Sequence, residues 1–217
     1  FDVTDTCILT PKNTDMKKIN DICLQKLQKP ITTFEAVDEL ESADCDVLGE
    51  EVMKDLPSNL PDYELKLCEG AVIILLRTLN LHQGLCNGTR LVILKMTKYR
   101  LEFRILNGPY AKEEVSIPRI YNNFDDGTFP FAFKRKQFPV RLAYATSIHK
   151  AQGVTLKRMG LYLPQAVFSH GMLYVALSRV GAPGDILICM QQNALQGKHT
   201  GYDGYYTVNK VYLQLLK

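Results

Sequence analysis

The 217-residue sequence has no pair of cysteines at metal-binding spacing and no long apolar segment. Its six cysteines are scattered and none forms a CxxC pair, so we expect no metal site. The longest apolar run, AVIILL at 71–76, is far shorter than the ~20 residues of a membrane span, so we expect no membrane partner. The sequence also lacks a basic-then-apolar leader, and several cysteines lie in apolar runs, as reduced thiols do. These absences favour an intracellular protein.

What the sequence does contain is typical of a globular chain with unevenly distributed charge. Hydrophobic residues make up 46% and charged residues 23%, which suits a sizeable core. The net charge is only +3, but residues 35–69 hold twelve acids and two bases, whereas residues 70–217 hold nineteen bases and seven acids. The local excess of +12 in the longer segment predicts either a surface for a polyanion or an ordinary solvated basic face.

Hydrophobic patterning divides the chain into three segments. Because the sequence begins with Phe, we expect it to be a piece of a longer protein. Residues 1–62 start with the strand TCILT and a helix over 13–27, as an α/β unit does, and continue as an acidic connector. Residues 63–138 contain four or five strand-like runs and predict a small antiparallel barrel or sandwich. Residues 139–217 return to α/β patterning, with VRLAYA, MGLYLP and GDILICM as buried parallel strands. Helices are predicted in this last segment over 167–179 and 208–216.

A polar stretch, SIHKAQG at 147–153, follows the first of these buried strands. At the carboxyl end of a parallel strand, where α/β proteins bind ligands, a helical turn exposes amide groups that favour an anion. Lys150 adds positive charge, and the Gln152 side chain can both donate to and accept from a sugar or phosphate. The alternative is a polar turn that binds nothing.

A second stretch, LYVALSRV at 173–180, places Ser178 and Arg179 at the end of a predicted helix. Taken alone, the arginine is better explained by the negative end of the helix dipole than by a function. The two stretches together are more informative than either one.

SIHKAQG, followed about twenty residues later by YVALSR, resembles motifs V and VI of superfamily-one helicases. The resemblance is closest to the Pif-type and RecD-like 5′-to-3′ DNA helicases, including the helicase half of Helitron transposons. It extends to ILTPKN, GLCNGTRLVI and FPFAFKRKQFPVRLA. It implies an α/β fold, in which a RecA-like motor domain with a parallel sheet (2A) is interrupted by a β-barrel of the Src-homology-three kind (2B). The GxxxxGK[ST] phosphate loop does not occur, nor does the magnesium-binding Asp-Glu pair that would follow it, so we expect the first motor domain to lie outside this chain.

The resemblance assigns roles to individual residues. Arg179 corresponds to the arginine that reaches the γ-phosphate across the cleft between motor domains, which makes it the predicted catalytic residue. The predicted nucleotide contacts are Gln152, Gly153 and Arg179. The predicted contacts to DNA phosphates, or links between DNA and nucleotide, are Ser147, His149 and Lys150. Further predicted DNA contacts are Lys134, Arg135, Lys136, Lys12 and Asn13, and for the last two a helix cap is the preferred alternative. Aromatic residues of the middle segment are expected in the core rather than stacked on bases, namely Tyr99, Phe103, Tyr110 and Phe124.

The implied function is that of the C-terminal part of an ATP-dependent 5′-to-3′ DNA helicase. The whole enzyme would use ATP and magnesium, and its partners would be single-stranded DNA and the N-terminal motor domain of the same chain. This chain alone is expected to bind no cofactor and to hydrolyse no ATP. The expected location is the nucleus, with a mitochondrial or viral setting as alternatives. The alternative function is a non-catalytic nucleic-acid-binding module from a domesticated transposon or viral helicase.

Overall fold

A computed structural model describes residues 6–40, 60–124, 133–201 and 203–212. The chain divides into two compact units, and each has its own core. One unit, here called the parallel-sheet unit, combines the residues up to Cys23 with those from Tyr144 onward, and the other, the inserted unit, contains Leu24–Ala143. The predicted boundaries at 62/63 and 138/139 differ from this division, because strands before and after them pair within the inserted unit.

The described residues form sixteen strands and two α-helices. In chain order the strands are β1 (Thr6–Thr10), β2 (Thr32–Glu35), β3 (Val37–Leu40), β4 (Glu64–Leu67), β5 (Val72–Leu75), β6 (Arg90–Met96), β7 (Arg100–Ile105), β8 (Glu114–Pro118), β9 (Ile120–Phe124), β10 (Phe133–Gln137), β11 (Val140–Leu142), β12 (Ala145–Ser147), β13 (Arg158–Leu163), β14 (Ile186–Met190), β15 (Gln196–Lys198) and β16 (Tyr205–Thr207). The helices are α1 (Asn13–Lys26) and α2 (Met172–Leu177). Short 3-10 turns lie at Leu81–Gln83, Ile148–Ala151 and Pro183–Asp185.

The parallel-sheet unit is built on a four-stranded parallel sheet in the order β12-β1-β13-β14. Alternating apolar residues of β1 and β13, such as Leu9 and Leu161, are buried in its core together with Met172 and Ala176 of α2. Because all four strands run in the same direction, their carboxyl ends lie at one edge of the sheet. The prediction of a parallel sheet that includes TCILT, MGLYLP and GDILICM is confirmed.

The inserted unit is antiparallel throughout its described strands. Its sheets have the orders β11-β5-β6-β7-β8, β3-β10-β9 and β2-β4. β7 shows why the sequence forms them, since RLEFRI alternates strictly between exposed polar and buried apolar side chains. The buried set, which includes Leu101, Phe103 and Ile105, belongs to the core of this unit.

Three predicted elements differ from the structure. VRLAYA is two strands rather than one, because β11 pairs antiparallel with β5 in the inserted unit and β12 pairs parallel with β1. The helix predicted over 167–179 is limited to Met172–Leu177 and begins after Gly171, whose φ of 71° is left-handed. In the tail, residues 208–212 are not helical, and residues 213–217 lie outside the described residues.

The described helices include none that is long and apolar enough to cross a membrane. In the same part of the chain, no three His, Cys, Asp or Glu side chains are grouped so that they could hold a metal ion.

Candidate nucleotide and nucleic-acid site

The polar stretch SIHKAQG lies at the carboxyl edge of the parallel sheet. β1 and β12 end side by side, with Thr10 opposite Ser147. The chain then forms the 3-10 turn, in which Ile148 and Ala151 are buried and anchor the turn to the core. The intervening His149 is exposed and Lys150 is half-buried. The predicted strand-to-turn junction is therefore present.

A buried asparagine of α1 holds the outer edge of β12. The Asn20 side chain donates to the carbonyl of Ala145 at 3.2 Å and accepts from its amide at 2.8 Å. Because β12 is an edge strand, these two backbone groups have no strand partner on that side, and the carboxamide of Asn20 replaces one. Sequence reasoning missed this residue, although an asparagine on the apolar face of a helix, four residues after the buried Met16, was a usable signal.

We expect Asn20→Leu to lower the free energy of unfolding by about 1–3 kcal/mol for each of the two buried backbone groups that it leaves unpaired. Urea denaturation of the 217-residue chain measures the effect. Asp21→Leu is the matched control, because Asp21 is an exposed neighbour on the same helix. Equal losses in the two variants would refute the role assigned to Asn20.

Ser147 and His149 form a pair at the start of the 3-10 turn. Ser147 is fully buried, and its Oγ lies 3.4 Å from Nε2 of His149. Partial burial of the imidazole, and secondarily the ammonium group of Lys150, lower the pKa of His149 below its ordinary value, so the ring is neutral at pH 7. Of the two roles predicted for Ser147, direct contact with a DNA phosphate does not fit its burial, and a linking role still does.

Gln152 and Gly153, the predicted nucleotide contacts of motif V, are both exposed. They form the turn that follows Ala151, and the amide of Val154 closes it by donating to the carbonyl of Ala151 at 3.1 Å. Gly153 has a φ of 80°, in the left-handed region that strains residues with a Cβ atom. Motif V therefore ends in an exposed loop whose shape depends on this glycine.

Arg179 joins the two motifs. Its Nη1 donates to the carbonyls of Ala151 and Val154, at 3.4 and 3.3 Å, on either side of the exposed turn. Its Nε donates to the carbonyl of Val175 at 2.8 Å, and Nη2 donates to Oγ of Ser178 at 2.7 Å. The guanidinium group thus lies against the loop that carries Gln152 and Gly153, and it is half-buried there.

Lys12 and Asn13 follow β1 at the same edge of the sheet, and both are exposed. Nζ of Lys12 donates to Oε1 of Gln165 at 2.7 Å. α1 begins at Asn13, and the carbonyl of Lys12 accepts from the amide of Met16 at 3.1 Å. The backbone of Lys12 therefore has the N-cap role.

The basic run 134–136 belongs to the inserted unit, where it forms part of β10. Residues in a strand alternate between its two faces, and here Lys134 and Lys136 are half-buried whereas Arg135 is 1% exposed. Nε and Nη2 of Arg135 donate to the two carboxylate oxygens of Asp38 at 2.8 and 2.6 Å. The predicted DNA contact is therefore wrong for Arg135, whose guanidinium group forms a buried ion pair, and remains a prediction for the two lysines.

The chain is similar in sequence to known DNA helicases. The family model "DNA helicase Pif1, 2B domain" matches residues 56–96 of the inserted unit. The "ATP-dependent DNA helicase PIF1" of Xenopus laevis is 30% identical over 165 residues, which are 76% of this chain and 24% of that protein. The chain is a relative of the Pif1 DNA helicases. It spans about a quarter of the length of its vertebrate Pif1 relatives.

Solved Pif1 structures share the fold of the chain. The crystal structure of Pif1 helicase from Candida albicans has a TM-score of 0.69 and 21% identity, and the match covers 88% of this chain and 46% of that one. Pif1 helicase from Bacteroides in complex with ADP-AlF3 and ssDNA has a TM-score of 0.63 and 23% identity, and the match covers 84% of this chain and 40% of that one. Together with the family model and the curated relatives, these matches confirm the predicted resemblance of the chain to the Pif-type helicases.

Proposed function

We propose that the chain is the C-terminal part of an ATP-dependent 5′-to-3′ DNA helicase and supplies its arginine finger. The observation that carries this proposal is the position of Arg179 against the loop 151–154. A cation beside an exposed polar loop, at the carboxyl end of a parallel strand, provides the charge that a nucleotide phosphate needs. The Bacteroides Pif1 structure with ADP-AlF3 and ssDNA supports nucleotide and single-stranded DNA as ligands of the whole protein.

In this proposal the parallel-sheet unit is the RecA-like domain 2A and the inserted unit is the Src-homology-three-like domain 2B. Arg179 exchanges its bonds to the carbonyls of Ala151 and Val154 for the γ-phosphate of ATP, while Gln152 and Gly153 border the nucleotide. His149 and Lys150 face the DNA backbone. Among the described residues there is no carboxylate cluster that fits a magnesium ion. In this proposal the chain's part in hydrolysis is to stabilise phosphate charge and to hold the DNA.

A second candidate is a nucleic-acid-binding module without catalysis. The observation in its favour is that Arg179 uses three of its nitrogens in hydrogen bonds within the chain, as a purely structural arginine would. The two candidates differ in whether removal of Arg179 affects ATP turnover in the full-length protein.

The shared part of both candidates, binding of single-stranded DNA, predicts a salt-dependent affinity that involves Lys150. On a single strand each phosphate contact contributes about 0.7 to the slope of log affinity against log salt. We therefore expect Lys150→Ala to flatten this slope by about 0.7 without introducing a sequence preference. Fluorescence anisotropy of a labelled oligonucleotide at several salt concentrations measures the slope.

Lys18→Ala is the control for Lys150→Ala, because it removes the same charge from an exposed position on α1. Its slope should equal that of the parent chain. A slope unchanged by Lys150→Ala would exclude Lys150 from the DNA-binding surface.

A further inference from the structure

The inserted unit contains an open pocket of about 600 Å³ with a positively charged lining. Three of its lining residues, Lys29, Lys98 and Arg119, are cationic and only one, Glu69, is acidic. The polar residues Thr32 and Thr33 also line it. A net lining charge of +2 beside these polar residues suits an anion with many acceptor oxygens, such as a phosphate.

Arg119 is held rigidly in this lining. Its guanidinium carbon lies 5.5 Å from the centroid of the Phe34 ring and 5.2 Å from that of Phe138. Nη1 donates to the carbonyl of Glu35 at 2.7 Å, whereas Nε is buried and has no hydrogen-bond partner. A buried cationic donor without a partner is uncommon in folded proteins. The guanidinium group therefore contributes positive charge at a fixed position in the lining.

An exposed aromatic ring adjoins the pocket. Nζ of Lys98 lies 5.5 Å from the centroid of the Tyr99 ring, and Tyr99 is 71% exposed. The prediction that Tyr99 lies in the core is therefore wrong, whereas Phe103 is buried as predicted. The turn that carries the ring is fixed, because Oγ1 of Thr97 donates to the carbonyl of Arg100 at 2.7 Å and accepts from its amide at 3.1 Å. A fixed, exposed ring next to a cation resembles the base-stacking platforms of single-strand-binding proteins.

We propose that this pocket binds a backbone phosphate of a single-stranded nucleic acid, with a neighbouring base stacked on Tyr99. The inference rests on the proposed nucleic-acid function but locates a contact that is separate in sequence from motifs V and VI. Free phosphate shares the anionic chemistry and lacks the base. The exposed ring therefore favours the polymer as the ligand.

The test is a titration of the ¹⁵N-labelled 217-residue chain, followed by NMR, with a short oligothymidylate, with the same strand made abasic, and with inorganic phosphate. We expect the oligothymidylate to shift the amide signals of Thr33, Thr97 and Lys98. Tyr99→Leu should weaken binding of the oligothymidylate by about fivefold or more and leave binding of the abasic strand unchanged. The double variant Lys29→Gln/Lys98→Gln should flatten the salt slope by about 0.7, the contribution of one phosphate.

Lys95→Gln is the matched control, because it removes one charge from an exposed position of β6 outside the pocket lining. Pocket signals that do not shift with the oligothymidylate would overturn the inference, as would equal shifts with inorganic phosphate at the same phosphate concentration. If the pocket variants bind DNA like the parent chain while Lys150→Ala weakens binding, the pocket inference fails and the proposed function stands. The opposite pattern would support the pocket and remove motif V from the DNA contacts.

Discussion

Asp38→Ala is expected to lower the free energy of unfolding of the inserted unit by about 3–5 kcal/mol, because it removes the carboxylate that accepts two hydrogen bonds from a buried arginine. The side chains of Arg135 and Asp38 are only 2% and 10% exposed. The carboxylate accepts two hydrogen bonds from the guanidinium group, and a third goes from Nη1 to the carbonyl of Pro61 at 3.2 Å. Chemical denaturation followed by far-UV circular dichroism measures this loss.

The matched control is Arg104→Ala. Arg104 also pairs with a carboxylate, at 2.8 Å from Glu114, but the two side chains are 47% and 62% exposed. Solvent screens that pair, so its removal should cost less than about 1 kcal/mol. The double variant Arg135→Met/Asp38→Leu should recover much of the loss, since apolar side chains of similar size tolerate burial. Equal losses in the free energy of unfolding for Asp38→Ala and Arg104→Ala would show that the buried ion pair stabilises the chain no more than the exposed one.

The second large effect concerns Arg179. In the full-length protein, Arg179→Ala is expected to reduce ATP turnover by about 10³- to 10⁵-fold, the range found when an arginine that contacts the transferred phosphate is removed. Binding of single-stranded DNA should remain near that of the parent protein. Steady-state ATP hydrolysis with saturating DNA measures turnover, and fluorescence anisotropy measures DNA binding. The 217-residue chain alone serves as the blank, for which we expect no turnover.

Two further variants separate catalysis from support of the loop. Arg179→Lys keeps the charge but loses the forked donors that reach the carbonyls of Ala151 and Val154. Ser178→Ala removes only the side-chain acceptor of Nη2 and should leave turnover nearly unchanged. If turnover is the same in Arg179→Ala and the parent protein, the arginine only stabilises the loop and the end of α2.

Much of the fold could be predicted from the sequence because local patterns specify it. TCILT followed by an amphipathic segment gave β1 and α1, and strict alternation gave the strands of the inserted unit. The apolar run VRLAYA was misleading for a physical reason. β11 and β12 are both substantially buried but pair in different sheets, and hydrophobicity records burial without recording the strand partner.

The candidate site was predicted in part for a related reason. The two motifs carry their own recognisable residue spacing, and the structure brings them together at Arg179. The prediction for Arg135 was wrong because it considered only the charge of the run 134–136. Side chains alternate between the two faces of a strand, so Lys134 and Lys136 lie on the face opposite to Arg135. Asn20 and Arg119 act through backbone groups and rings that are distant in sequence, and no local pattern marks such partners.

The position of β1 also determines the order in which the chain can fold during synthesis. β1 lies between β12 and β13, whose residues are translated only after the whole inserted unit. The described strands of the inserted unit have their partners as soon as Leu142 emerges from the ribosome, whereas TCILT is made before the insert and waits for Ala145–Ser147 and Arg158–Leu163. Pairing over such a separation is slow. β1 is therefore without either of its strand neighbours until translation of the insert is complete.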